Sequence, residues 1–520
     1  MQYINSLKNK EYLLYSLIFF FVSYLFLGTG IHSDDIILVK EIEFHYTLKD
    51  ILLPDLSKIH VVVFGIPSYY MDYLQYYFFD RNYYFYDIMK IIVSLVSLSL
   101  IYKFLKQYLN KSNSFLFSLF FVFFITHDSV NYWVITLPYL LVVALVMYSH
   151  ALVNEKKYKI GFFYGVIGSF FTFASPPYVF GLSIIFLIKK EWKKFIVFLS
   201  PQILYIIYYF FISTVLELSK GRIEEKLDIL RLIKQYILQI GTSIDTFVGP
   251  SFWLKIYFSI LEISVVSFIF GSVLVFLFYK VFEVEKELKI DKTLLLGFIF
   301  IALLAFGMFS LTGKYPQIAF NLGNRVTMYG SLLVSFLIVV VFMHNKKIAT
   351  VVFAIFIFSS LGISDHWKSW NQNQLNVIEN ISKNKEIKNF DTNTQLFVIN
   401  NQYSKLGSLS HIEFFAQGMA SHVFKFATSK DYKVSTLNRR FILNGNYLVD
   451  KKFGTKIKID DNVYIYDSLK DKMIIIKKHN IKEFIKTLPL DKRHWLQLLE
   501  KDNFLMKIVL KLMPRLESSL

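Results

Sequence analysis

The stretch TLLLGFIFIALLAFGMFSLT, residues 293 to 312, runs for twenty residues without a charge. As a helix it would rise about 30 Å, the thickness of a bilayer's hydrocarbon core. A soluble core needs only shorter runs, so the segment reads as a transmembrane helix. Working outward, comparable apolar runs fall at 12 to 27, 83 to 102, 114 to 126, 132 to 150, 160 to 173, 177 to 188, 195 to 215, 256 to 279, 324 to 343 and 348 to 364. The expectation is a mainly α, polytopic transmembrane helical bundle of about eleven helices. The runs at 114, 160 and 177 are the shortest of the internal ones.

Composition agrees: 54% of the 520 residues are hydrophobic, only 18% are charged, and mean hydropathy is +0.44. Lipid is the expected solvent. The chain has no cysteine, which removes disulfides, thiolate catalysis and thiolate metal sites together. A net charge of +18 would suggest nucleic acid in a soluble protein. Here the lysines collect in short loops between apolar runs, which is a topology signal, and no nucleic-acid partner is expected.

Those loops alternate. Lys103, Lys106 and Lys111 share one, Lys156, Lys157 and Lys159 the next, and Lys189, Lys190, Lys193 and Lys194 a third. Lys280, Lys286, Lys289 and Lys292, then Lys346 and Lys347, complete the set. The turns at 126 to 131 and 175 to 177 carry no lysine or arginine. Basic residues beside helix ends resist translocation, so the lysine loops and the N-terminus read as cytoplasmic and the C-terminus as external. High Lys, Asn, Ile and Phe content fits an AT-rich bacterial genome, which makes the bacterial cytoplasmic (inner) membrane the expected location.

Two long loops then face outward, 31 to 82 and 216 to 255. The first contains an apolar, aromatic stretch, 59 to 79, broken by Gly65, Pro67 and Asp72, which suits interfacial helices better than a span. The second mixes Arg222, Glu224, Glu225, Lys226, Arg231 and Lys234 at helical spacing, as a solvated surface helix would. Hydropathy falls after about residue 364. The expected division is a membrane domain over 1 to 365 and a small extracytoplasmic α/β domain over 366 to 520. Strands are expected at 395 to 399, 456 to 459, 462 to 467 and 473 to 477, and helices at 411 to 424, 481 to 488 and 495 to 513.

The sharpest local signal is His32-Ser33-Asp34-Asp35, directly after the first apolar run. Two adjacent carboxylates repel and cost desolvation, so a metal, a basic partner or acid/base work would explain them; a helix cap with solvated acids is the structural alternative. This arrangement resembles the GT-C superfamily of membrane glycosyltransferases in having many helices, a long first outer loop opening on an acidic pair, lysine-rich inner loops and a C-terminal external domain. The likeness spans the chain as architecture, and Asp34-Asp35 is its one short motif.

The resemblance implies an enzyme that takes a sugar from a polyprenyl phosphate or diphosphate and gives it to a glycan, lipid or protein acceptor. Asp34 or Asp35 would be the catalytic carboxylate. The leaving phosphate needs a cation. Arg325, in Gly323-Asn324-Arg325 at an outer helix end, is the first choice, with Lys314 in the same loop and Arg81 and Arg222 in the other outer loops. Arg325 reads equally well as an interfacial anchor. His127-Asp128 offers a metal ligand or base, or else a hydrogen-bonded loop pair. A divalent cation, Mg or Mn, would fall to Asp34 and Asp35, with His32, His45 and His60 at no recognisable ligand spacing. No Walker A or dinucleotide loop appears. The competing readings are a transporter or flippase of lipid-linked saccharides, a polysaccharide polymerase or ligase using Arg222 and Arg231, and a membrane-anchored binding module.

Overall fold

A computed structural model describes residues 16–54, 65–215, 228–282, 291–313, 315–415, 418–451 and 454–499, with 503, 504, 506, 507 and 511. The protein is mainly helical, with a small sheet region near the C-terminus. It folds as two units. One comprises the residues up to Gly30, His45–Ala319 and Gly323–His366; the other comprises Ile31–Phe44, Phe320–Leu322 and the chain from Trp367. Beside the expected division at 365, the segment carrying Asp34 and Asp35 thus groups with the C-terminal residues.

In the first unit each expected apolar run is mostly helical where it is described, but not each is a span. Among the described residues six helices are long and apolar enough to cross a membrane: Tyr83–Leu105, Val134–Asn154, Trp192–Val215, Lys292–Thr312, Leu322–Phe342 and Lys346–Lys383. The expectation of about eleven goes beyond this. Lys111–Val122, Tyr158–Phe171 and Pro176–Ile188 have 12, 14 and 13 residues, and Ser16–Phe26 is the described part of the first run. At 1.5 Å per residue none of those three rises more than about 21 Å.

The run at 256 to 279 needs correction as well. It is two helices, Pro250–Leu261 and Val265–Val281, and the axis of Ile229–Leu261 turns by 112° into Val265–Val281 at the break. Ser264 starts the second helix: its hydroxyl accepts from Ser267 N, while its own N–H donates to Asp365 at 2.8 Å. Counting that bent pair as one span would give seven. Local chemistry also sets the ends of Lys292–Thr312. Asp291 accepts from Thr293 N and Leu294 N, and Gly313 closes the helix at φ +59°.

Of the residues on which a solvated surface helix was expected, Arg222, Glu224, Glu225 and Lys226 lie outside the described residues, while Arg231 and Lys234, on the helix Ile229–Phe247, are exposed as expected; the rest of that helix is not solvent-facing in pattern. Ile229, Leu230, Ile233, Ile237 and Ile244 are exposed while Gln239, Ser243 and Thr246 are buried. Gln239 donates to Tyr315 O at 2.9 Å and accepts from Gln317 at 2.9 Å. An apolar outside with a polar inside suits lipid rather than water.

In the second unit, β1 (Leu396–Ile399) lies between β4 (Val434–Thr436) and β8 (Asn462–Asp467), parallel to both, and β9 (Lys472–Lys477) pairs antiparallel with β8. The β1-to-β4 crossover carries the helix Met419–Thr428, as a parallel pair requires. β2 (Tyr403–Leu406) and β3 (Leu409–Glu413) form a hairpin, and β5 (Phe441–Asn444), β6 (Tyr447–Asp450) and β7 (Lys456–Lys458) a meander. Phe397, Ile399, Leu437, Phe441, Ile465, Ile481 and Ile485 share one core.

The helix expected over 411 to 424 begins only at Met419, because His411 and Ile412 belong to β3. A short apolar run fits either period, and Gly418, at φ +84°, resets the chain direction. Of the helix expected over 495 to 513, the structure describes a short 3-10 turn, Trp495–Leu498, and only scattered residues beyond it.

Candidate functional site

The chain leaves its first helix through Gly28 and Gly30, both at positive φ. In the first unit this turn is fastened by Asp87, which accepts from Gly28 N at 2.7 Å, Gly30 N at 2.9 Å and Thr29 Oγ1 at 3.0 Å. Lys90 completes the clamp: it pairs with Asp87 at 3.3 Å and donates to Thr29 at 2.8 Å and to Gly30 O. Both charges are buried on Tyr83–Leu105.

The next residues belong to the second unit. Ser33, at φ +50°, turns the chain into the helix Asp34–His45, so both acids sit in its first turn, where the helix dipole favours negative charge. Asp35 is fully buried and its Oδ2 accepts from His32 N at 3.0 Å; Asp34 is half-buried. The His32 imidazole lies 2.6 Å from Gln374 Oε1 and edge-on to Trp367 at 4.6 Å. A carboxylate held this way can orient a hydroxyl or take its proton.

Farther along the same helix Lys40 donates to His422 at 3.3 Å. Burial, and then the lysine's charge, hold His422 below its ordinary value of 6.5. Among the described residues no three His, Asp or Glu side chains gather as a metal site. A cation at Asp34 and Asp35 would take its remaining ligands from water or substrate, as Mg commonly does.

The first unit holds the other residues singled out. His127 and Asp128 are both buried and engage different partners. The His127 ring lies 2.9 Å from Ser331 Oγ and 3.4 Å from Val122 O. Asp128 accepts from Lys255 at 2.6 Å and from Asn324 at 2.5 Å. Arg325, next in the chain, places its guanidinium 5.2 Å from the Trp133 ring and 6.0 Å from that of Tyr315. It lines a cavity of about 20 Å³ with Tyr139, Phe173, Phe309, Tyr315 and Tyr329. That is room for a water and not for a sugar. Arg81 is exposed in the turn before Tyr83–Leu105. Lys314 and Arg222 lie outside the described residues.

Lys255 escaped the sequence reading because it stands one residue before the run assigned at 256. Its signal was a lone lysine among apolar residues in PSFWLKIYFSIL, residues 250 to 261, where a charge needs a partner. Comparison with protein-family models, curated proteins and solved structures finds no match for this chain.

Proposed function

We propose that this chain is a GT-C-like membrane glycosyltransferase. It would move a sugar from a polyprenyl-phosphate or diphosphate carrier to a glycan, lipid or protein acceptor at the outer face of a bacterial cytoplasmic membrane. The observation that carries the reading is the acid pair in the first turn of Asp34–His45, with Asp35 buried, directly after the first apolar helix of a many-helix chain. In this reading the short helices and the bent pair complete a bundle of about eleven, with the N-terminus inside and the C-terminal unit outside.

Asp35 or Asp34 takes the proton of the acceptor hydroxyl. The hydroxyl oxygen forms a bond to the anomeric carbon, and the bond from that carbon to the carrier's phosphate oxygen breaks. The electron pair leaves with the lipid phosphate. In the first unit, Arg325 is assigned to binding a polyprenyl phosphate, since a guanidinium fork matches phosphate oxygens.

A transporter or flippase is the second reading. The bent helix pair and the buried Lys255–Asp128 charges are features such proteins share. Purified protein given a panel of polyprenyl-phosphate sugars separates the two. Sugar transfer that falls by about 10²- to 10⁴-fold in Asp35→Asn or Asp34→Asn supports the enzyme and the site. Full activity in both variants removes the site; no transfer, with lipid-linked sugar crossing proteoliposomes, favours the transporter.

A further inference from the structure

We infer that Lys255 is a positioning residue for Arg325, acting through Asp128 and Asn324; the inference rests on the assignment of Arg325 to a polyprenyl phosphate. Lys255 is fully buried on the half-helix Pro250–Leu261, which is bounded by Gly249 at its start and the sharp bend at its end. An ammonium has no reason to be there except to hold something.

What it holds is the segment that carries Arg325. Lys255 Nζ donates to Asp128 Oδ1 at 2.6 Å and to Ala319 O at 2.5 Å. Asn324 Nδ2 reaches the same two acceptors, at 2.5 and 3.3 Å. The Asn324 side-chain oxygen Oδ1 accepts from Ser129 N at 3.3 Å and from the Ser129 hydroxyl. Thr327 donates to Thr126 O at 2.9 Å. Residues on both sides of Arg325 are therefore tied to 126–129, and Trp133, a few residues on, supplies the ring beneath its guanidinium. A buried ion pair fixes orientation better than it adds stability, because desolvation offsets the attraction. Here the orientation fixed is that of the backbone next to Arg325.

The test uses the full chain in detergent and polyprenyl phosphate without sugar, so that binding is read apart from transfer. Arg325→Gln is expected to weaken binding by about tenfold, the worth of one charge-assisted hydrogen bond. Lys255→Met with Asp128→Leu removes both buried charges together. Asn324→Ala leaves the pair in place but cuts its link to Arg325, and so serves if the double variant does not fold. Each is expected to weaken binding by about the same factor and to add little in the Arg325→Gln background, since all act on one contact.

Losses that add to that of Arg325→Gln would overturn the inference, as would unchanged binding in a folded Asn324→Ala protein or no effect of Arg325→Gln itself. The glycosyltransferase reading would survive those results. Failure of the wild type to bind polyprenyl phosphate would remove that reading and this inference with it.

Discussion

Lys255 and Asp128 show how unequal single substitutions can be at one place. With both side chains at or near zero exposure, Lys255→Met alone leaves a carboxylate in an apolar interior. We expect it to destabilise the protein by about 3 to 5 kcal/mol, and the paired Lys255→Met, Asp128→Leu change to cost much less; thermal unfolding in detergent distinguishes them. His422 makes a prediction in pH. Burial and Lys40 lower its folded value, so the unfolded chain binds the proton more readily. Its contribution is complete above 6.5 and is lost as pH falls from there toward the lower folded value. The midpoint should therefore drop between pH 7.5 and 5.5, and His422→Gln should flatten that dependence. Of these residues the sequence marked Asp34, Asp35 and Asp128 by type and place. It did not reveal Lys255, since a lysine at the end of an apolar run resembles a snorkelling anchor until its partner is known.

At the level of elements, the helix Ile229–Phe247 carries the general point. The sequence showed mixed charge at helical spacing from Arg222 to Lys234, but which face of such a helix turns inward depends on whether water or lipid lies outside. Gln239, bonded to Tyr315 and Gln317, settles that the polar face is internal. Close approach of backbones is the other element-scale device. A Cβ added at Gly362, on Lys346–Lys383, would lie 1.8 Å from the Ser259 carbonyl oxygen on Pro250–Leu261. Gly307, on Lys292–Thr312, has only a tyrosine ring carbon at 3.9 Å. We expect Gly362→Ala to cost about 1 to 3 kcal/mol or more and Gly307→Ala to be neutral or slightly stabilising. Parallel unfolding curves of the two variants test this, and similar midpoints would contradict the packing.

For the whole molecule, the absence of cysteine makes topology directly measurable. Single cysteines at Leu469, which is exposed in the second unit, and at Lys190, in a lysine-rich turn, can each be labelled without background. An impermeant maleimide applied to intact cells is expected to label Leu469→Cys and to spare Lys190→Cys. The opposite pattern would invert the orientation, and labelling of neither would place both sites inside.

By itself the sequence determined the solvent, the helical class and the polar character of the C-terminal unit. A helix closes its own backbone hydrogen bonds, so run length and composition suffice to read it. Three features were decided only by the tertiary structure: the break near Ser264, the strand at His411, and the network joining Asp128 to Lys255 and Asn324. The residues of that last network stand 127 and 196 positions apart. A buried charge is satisfied by whatever group the fold brings beside it, and no local pattern encodes a partner so distant along the chain.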